Sequence, residues 1–552
     1  MITKESIKSM PLKEKIAHMI IYRAGEFQER LDEMLENGTA ANIGGVFIPS
    51  DKRDIDSAVE LMNKWRAKAK YPLFFFVDAE WGVAQIFPDG TRLSPVMAVG
   101  ASENAEELAY LHGNVVGREC AALGYRIVSN PTVDVNIEPK NPIICTRAFS
   151  DDTDTVIRLS RAYIRGVQDA GVICNAKHYP GHGATAVDSH MAMPEVRRTK
   201  EELYDVELRP YKEMCNDMWG VMTAHIHYPA LAGEGEEGVP ATLSRTMLYD
   251  ILRGEFGYDN LIISDSLTMK GIKDKYGLHA AVGAIKAGHD IILQDYMTDP
   301  QITFDLVMDA AKSGEIPMEW IDESVYRIMK FKEQLGCLSN EPVDVEAARK
   351  ILGCEEHINV SKRIARESIT LIESSSLPLD TKSAGKTLVI ATVGPEEERA
   401  MADLGDCGGR ASLNIANAIK AYCTADAEYV SELPEKARVD ELIELAKGYD
   451  TVVVAAFVRT SSYKENSGKL SPEITRLLEA VGKSPATLVS LILGSPYAIA
   501  DIPEQKNCLV AYSDDIYCID AIVDALFGKA EARGHLPVNV SEKYPRGYSC
   551  RK

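Results

Sequence analysis

No apolar run in this sequence approaches the roughly 20 residues that a membrane-spanning helix requires, so a chain threaded through a bilayer is not expected. The first twenty residues, MITKESIKSMPLKEKIAHMI, lack an uninterrupted apolar stretch followed by a small-residue cleavage site. They read as an amphipathic first helix and not as a secretory signal. Paired cysteine motifs are missing too: the eleven cysteines are an odd number, scattered without CxxC spacing. That pattern argues against a disulfide framework or a zinc site and suits reduced core thiols in a reducing compartment, by default the cytoplasm. Positive charge is in deficit, with a formal net charge of −21. Such a surface repels phosphate backbones and anionic lipid, so neither nucleic acid nor a membrane is an expected partner, and a neutral, compact polar substrate fits better. There is no internal repeat and no low-complexity tract.

What is present is a chain of 552 residues, 45% of them hydrophobic. Single hydrophobic cores stop growing at about 250–300 residues, which predicts two domains. Up to about residue 335, short β-like runs alternate with helical stretches: GGVFIP (44–49), PLFFFVD (72–78), IVSNPTVDVN (127–136), VICNAKHYPGHG (172–183), GVMTAHIHY (220–228), NLIISDS (260–266) and HDIILQD (289–295). Runs this continuously apolar are buried on both faces, and strands separated by helices imply a parallel sheet. Seven or eight such units over this length favour a (β/α)8 TIM-like barrel over an open doubly wound sheet. In nearly every run the polar residues follow the apolar stretch, on the carboxyl-end rim where barrel enzymes do chemistry. The expected organisation is a catalytic barrel over 1–335, a helical connector over 336–383 that is helix-like and charged from Val345 to Glu373, and a smaller α/β/α sandwich domain over 384–552. The last is signalled by TLVIATVG (387–394), TVVVAAFV (451–458), ATLVSLIL (486–493) and CLVAYSD (508–514).

The densest chemical segment is KHYPGHGATAVDSH, Lys177 to His190. Pro180, Gly181 and Gly183 prevent a continuous helix, so His178 and His182 do not form a helical metal-binding face, and the segment reads as a loop over a pocket. Asp188, two residues before His190, can accept a proton from one imidazole nitrogen, fixing the tautomer and leaving the other nitrogen for general acid/base work. The alternative is that Asp188 and Ser189 cap the next helix and His190 lies on the surface. In NLIISDSLTMKGI, Asp265 ends an apolar strand, where a carboxylate serves as a nucleophile, a metal ligand or a helix cap. Further rim candidates are Asp78 after FFFV, Asp134 in TVDVN, Arg147 in ICTRAF, and His225 and His227 in MTAHIH. The two histidines alternate as strand residues do and can share a face. A metal-dependent barrel would carry such a pair after its first strand, whereas this one comes mid-barrel, so no metal is expected.

The ordered set KHYPGHGATAVDSH, MTAHIHYPAL (222–231), PATLSRTML (240–248) and ISDSLTM (263–269) resembles glycoside hydrolase family 3, in its β-N-acetylhexosaminidase branch. NPIICTRAFSDD (141–152), FVDAEWG (76–82) and ESITLIESSSLPL (367–379) are similar to further segments of that family. The resemblance implies a retaining hydrolase that forms a covalent glycosyl intermediate on Asp265 and uses His190, oriented by Asp188, to protonate the leaving oxygen and then activate water. It also implies that Asp78, Arg147, Lys177 and His178 hydrogen-bond sugar hydroxyls. No cofactor and no metal are implied, and the expected partner is a small carbohydrate such as an amino-sugar glycoside or cell-wall fragment, bound by a monomer or homodimer. One departure stands out: where the branch has an arginine eight residues after the aspartate matched to Asp78, this chain has Ile86, which cannot donate as a guanidinium does. Arg92 is the nearby alternative. Three other activities fit the same pattern: a β-glucosidase or β-xylosidase; a phosphorylase, since a neutral histidine repels phosphate less than a carboxylate does; and a silent sugar-binding protein.

Overall fold

Short, continuously apolar strands are buried on both faces when helices cover a parallel sheet, and in the computed structural model the first eight strands close such a sheet on itself. The structure describes residues 2–36, 43–48, 54–186, 193–339, 341–381, 384–394, 411–460 and 467–551. Strands β1 (Ile20–Arg23), β2 (Gly45–Phe47), β3 (Phe74–Val77), β4 (Ile127–Val128), β5 (Ile173–Tyr179), β6 (Gly220–Thr223), β7 (Leu261–Ser266) and β8 (Ile291–Leu293) form a closed barrel. Every neighbouring pair is parallel, and β8 returns to β1 through Ile20↔Ile292 and Ile21↔Leu293. This is the TIM-like barrel expected from the sequence.

Three local readings need correction. The expected first helix is two short ones, Lys4–Lys8 and Leu12–His18, the second beginning immediately after Pro11, and its continuation is strand β1. Helical periodicity in LKEKIAH masked a strand of only four residues. Lys177 and His178, read as loop residues, lie inside β5, because the chain keeps pairing after the apolar run ends: Val133 N–H donates to the Lys177 carbonyl at 2.7 Å and Lys177 N–H to the Pro131 carbonyl at 3.1 Å. In the stretch read as helical connector, Thr370–Ser374 is a strand.

That strand, β9, joins a second sheet with β10 (Thr387–Val393), β11 (Ala425–Ser431), β12 (Thr451–Val458), β13 (Thr487–Gly494) and β14 (Asn507–Ala511) in the order β11-β10-β12-β13-β14-β9. All pairings are parallel except β14 with β9. Residues of alternate parity, including Val389, Val453, Val489 and Leu509, pack into one apolar cluster with Ile415, Ile419, Ile519 and Ile522 from the helices Ala411–Lys420 and Ile516–Leu526. By contact the chain divides into two compact units. One comprises Met1–Arg92, Ala109–Val135 and Val156–His357; the other comprises Leu93–Leu108, Asn136–Thr155 and Ile358–Lys552. Among the described residues no helix is long and apolar enough to cross a membrane.

At the end of the barrel where strands begin, the fully buried Lys332 of helix Met318–Gln334 reaches under the sheet. Its ammonium donates to the carbonyl of Pro72, to that of Gly44 at 3.1 Å and to His18 Nδ1 at 3.1 Å, three acceptors just ahead of β3, β2 and β1. Burial pulls the Lys332 amine down to about 7. An unfolded lysine titrates near 10.4, so between about 7 and 10.4 the unfolded chain holds the extra proton and stability rises with pH across that window. Comparing denaturant unfolding of the wild type and Lys332→Met from pH 6.5 to 9.5, the wild type should gain stability relative to the variant as pH increases. A pH-independent difference would show that the amine does not titrate in that window.

Candidate active site

Strand register decides which side chains meet at the barrel mouth. In a parallel pair, Cα partners point to the same side, and along each strand the side alternates. Arg23, Phe47, Phe76, Ile127 and Ile173 are successive partners across β1 to β5. Asn175 continues to Gly220, Met222 to Ile263, Ile263 to Ile291, and Leu293 back to Ile21, two residues before Arg23. The circuit closes on one parity, the interior. Two residues further along β3 and β4, Asp78 and Ser129 therefore face inward at the rim; the register shifts between Ala176 and Tyr179 on β5 and between Ile263 and Ser266 on β7, so Lys177 is placed there by its contacts and Asp265 by its position at the carboxyl end of β7.

The contacts agree. The Lys177 ammonium, nearly buried, lies 2.5 Å from Glu80 Oε1, 3.3 Å from Ser129 Oγ and 3.5 Å from Asp78 Oδ1, while Asp78 is 44% exposed to the mouth. Glu80 was not singled out from the sequence, although it follows Asp78 at the two-residue spacing of a strand in the quoted segment FVDAEWG. Ser129 Oγ also reaches Met222 Sδ at 3.6 Å, across the barrel.

Asp134, which follows the backbone pairing of residues 131–133 with β5, is fully buried and accepts three hydrogen bonds. His178 Nδ1 lies 2.8 Å from Oδ2, and the amides of His178 and His182 donate to Oδ1 at 3.3 and 2.5 Å. Burial alone would raise this carboxyl. The adjoining His178 and His182 rings and the His182 amide outweigh it and hold Asp134 below the usual carboxylate value. With Nδ1 committed to Asp134, the Nε2 of His178 is the atom left for a ligand. Beneath this loop lies Glu207, buried, with Arg198 Nε 3.3 Å away but not aligned for a hydrogen bond. Burial raises its carboxyl to about 7. A Cβ on Gly181, whose φ is 154°, would stand 2.9 Å from the Glu207 side chain, so glycine permits both the backbone angle and this approach.

Asp265 is half-buried, and the amide of Ser266 donates to its Oδ1 at 2.7 Å. Behind β7 a chain of buried polar groups ends on the same residue. His289 Nδ1 lies 2.8 Å from the Ala284 carbonyl, which can only accept, so Nδ1 carries the proton and Nε2 takes the Thr223 hydroxyl at 2.9 Å. Burial lowers His289 to about 4, which keeps that ring neutral. The Thr223 and Thr242 hydroxyls are 3.2 Å apart, and Thr242 Oγ1 is 2.7 Å from His225 Nδ1. His225 Nε2 in turn donates to the Ser266 carbonyl at 2.9 Å. Both nitrogens of His225 are thus engaged, as are those of His227, with the Val239 carbonyl at 2.9 Å and the Gly238 amide at 3.2 Å. The pair that looked capable of sharing a metal points its nitrogens at separate protein partners.

Arg147 belongs to the second unit, where its guanidinium donates to the Ile143 carbonyl at 3.2 Å. Ile86 is buried at 8% exposure, and the Arg92 guanidinium sits 5.9 Å from the Trp81 ring. Asp188 and His190 lie outside the described residues.

A closed parallel barrel whose mouth gathers carboxylates, an ion-paired lysine and an oriented histidine, followed by a second α/β unit, has the architecture of a barrel glycosidase. Residues 11–331 match the model of the glycosyl hydrolase family 3 N terminal domain, and residues 370–547 that of the glycosyl hydrolase family 3 C-terminal domain. The chain belongs to glycosyl hydrolase family 3. It is 28% identical over 527 residues to beta-hexosaminidase A of Pseudoalteromonas piscicida, covering 86% of this chain and 84% of that protein. It is 26% identical over 516 residues to a beta-N-acetylglucosaminidase/beta-glucosidase of Cellulomonas fimi, covering 90% and 88%. The solved family 3 beta-N-acetylglucosaminidase of Paenibacillus sp. str. FPU-7 superposes with a TM-score of 0.83 at 28% identity, covering 97% of this chain and 99% of that one.

His225 holds the Ser266 carbonyl, and the Ser266 amide, on the preceding peptide, donates to Asp265. Replacing it by alanine should lower kcat about ten- to a hundred-fold, the scale of a sub-ångström to 1 Å misplacement, with KM little changed. Steady-state kinetics with a parallel melting curve checks this; a raised KM at constant kcat would instead make His225 a substrate-binding group.

Proposed function

We propose that this glycosidase releases terminal β-linked N-acetylglucosamine, or a related N-acetylhexosamine, with retention through a covalent intermediate on Asp265. The observation that carries the reading is the gathering of Asp78, Lys177 and Asp265 at the carboxyl ends of β3, β5 and β7, in a chain similar along nearly its whole length to a solved β-N-acetylglucosaminidase.

In the first step the Asp265 carboxylate attacks the anomeric carbon while the His190 imidazolium gives its proton to the leaving oxygen. In the second, neutral His190 takes a proton from water as water attacks the same carbon and the carboxylate is regenerated. Asp188 orients His190. The Ser266 amide on Asp265 Oδ1 steadies the nucleophile. Asp78, Arg147, Lys177 and His178 donate to or accept from the ring hydroxyls; the ion pair with Glu80 fixes Lys177 in position. The chain's own residues supply every proton transfer in this scheme, so no cofactor is invoked. A barrel over 1–335, a connector over 336–383 and a sandwich domain over 384–552 complete the proposal. Its place is the cytoplasm, as a monomer or homodimer without nucleic-acid or membrane partners; the described cysteines, all free thiols, suit a reducing compartment.

Nitrophenol release from aryl β-N-acetylglucosaminide, β-glucoside and β-xyloside, each with and without phosphate, tests the substrate. The N-acetylglucosaminide should be hydrolysed fastest, independently of phosphate. A faster glucoside or xyloside, or a phosphate requirement, would move the assignment to another activity of the same fold. Asp265→Ala should abolish turnover with the melting temperature nearly kept, because a rim carboxylate adds little to the core. His190→Ala should retain more activity on activated aryl substrates than on an alkyl glycoside, since a good leaving group needs less protonation; equal losses would remove the acid role.

A further inference from the structure

The first barrel strand, which the sequence reading passed over, ends in an arginine that the scheme above leaves unused. Arg23 is the partner of Phe47 on β2 and lies two residues after Ile21, the partner of Leu293 on β8. Both neighbours assign it the interior parity of Asp78 and Ser129. It therefore projects into the same mouth, from the strand two places from β3 on one side and two from β7 on the other.

Two aromatic rings hold its guanidinium. The Tyr296 ring lies 4.1 Å from it and the Phe47 ring 5.1 Å, and Phe47 is itself braced by Phe76 at 5.6 Å. Rings attract the charge of a guanidinium but offer its five N–H donors no hydrogen-bond acceptor of their own. Among the described residues no hydrogen bond or ion pair uses those donors. Asp295, just beyond β8 and next in sequence to Tyr296, is committed elsewhere: to Lys273 at 2.9 Å, to the Met297 amide at 2.9 Å and to the Thr298 hydroxyl at 3.1 Å. The other inward cation, Lys177, is by contrast already matched by Glu80 and Asp78.

We infer that Arg23 is an oxyanion-binding residue of this site, taking a carboxylate or phosphate group edge-on in a two-pronged hydrogen bond. The inference rests on the glycosidase reading given above. The terminal sugar in that reading is neutral, so the anion lies outside it: on the group that the sugar is attached to, or as free phosphate acting as acceptor. In the acceptor case an oxygen of hydrogen phosphate bonds to the anomeric carbon, the ester bond to Asp265 breaks, and the carboxylate leaves with that bond's electrons. The phosphate keeps its own proton and the product is a sugar 1-phosphate.

The test uses the full chain and its variants Arg23→Ala and Arg23→Lys, with folding followed by melting temperature. Two aryl glycosides of whichever sugar the wild type cleaves are compared, one with a nitrophenyl and one with a carboxylated nitrophenyl leaving group. Taking the wild-type to variant ratio for each substrate cancels the difference in leaving-group acidity. If the anion is on the leaving group, Arg23→Ala should reduce kcat/KM for the carboxylated substrate about ten-fold or more beyond its effect on the neutral one, the scale of one charge-assisted hydrogen bond. Arg23→Lys, charged but unforked, should recover part of that loss. If the anion is free phosphate, inorganic phosphate should accelerate the wild type on the neutral substrate with sugar 1-phosphate as product, and Arg23→Ala should weaken that dependence. Equal losses on both substrates without a phosphate effect would overturn the inference. A wild type that cleaves glucosides and not N-acetylglucosaminides would overturn the sugar assignment and leave the Arg23 comparison intact.

Discussion

A closed parallel barrel leaves each strand only two faces, and closure makes the parity of one strand answer to all the others. The circuit from Arg23 through Phe47, Phe76, Ile127 and onward to Leu293 returns to the strand it left on the same side, with the register shifting only locally, between Ala176 and Tyr179 on β5 and between Ile263 and Ser266 on β7. Asp78, Ser129 and Arg23 face the mouth because they share a parity; Thr223, of the other parity on β6, faces the opposite way and donates to His289.

Desolvated charge is treated differently at the two ends of the barrel. Under the strand starts, Lys332 is taken out of water and given only neutral acceptors, so its proton is held loosely. At the mouth, Asp134 is equally buried but is surrounded by a histidine ring and two amides that favour its ionised form. The same burial therefore weakens one charge and, with suitable donors, preserves the other. Glu207 falls between these cases, a carboxyl with no aligned donor, and it lies directly under the backbone of Gly181.

Much of this was legible from the order of residues. Seven of the barrel strands announce themselves as apolar runs, and the motif residues Asp78, Lys177, His178 and Asp265 follow such runs, which is why the barrel and its rim candidates were readable. Strand β1 was hidden because four residues are too few to display alternation beside a helical period, and with it Arg23. Glu80 was passed over because its significance lies in a contact with Lys177, nearly a hundred positions away, which no local spacing encodes. His225 and His227 were seen, but their spacing is equally that of a metal pair and of two rings with separate partners; only the positions of Thr242 and Val239 separate the two. The strand inside the connector, Thr370–Ser374, runs against its neighbour, a direction that composition does not carry.

The two faces of β6 and β7 also divide what this chain can change from what it cannot. Apart from the reacting carboxylate and the ion-paired Lys177, side chains at the rim face the substrate and not the core, so exchanging one of them acts on which molecule is accepted. The buried set Thr223, His225, Thr242 and His289 is interlocked in two pairs, the Thr223 hydroxyl donating to His289 Nε2 and the Thr242 hydroxyl to His225 Nδ1. Relatives that drift toward new substrates are thus free to vary along one edge of a strand while the opposite edge is inherited as a block, and a buried isoleucine standing at position 86 is the kind of exchange such an arrangement tolerates.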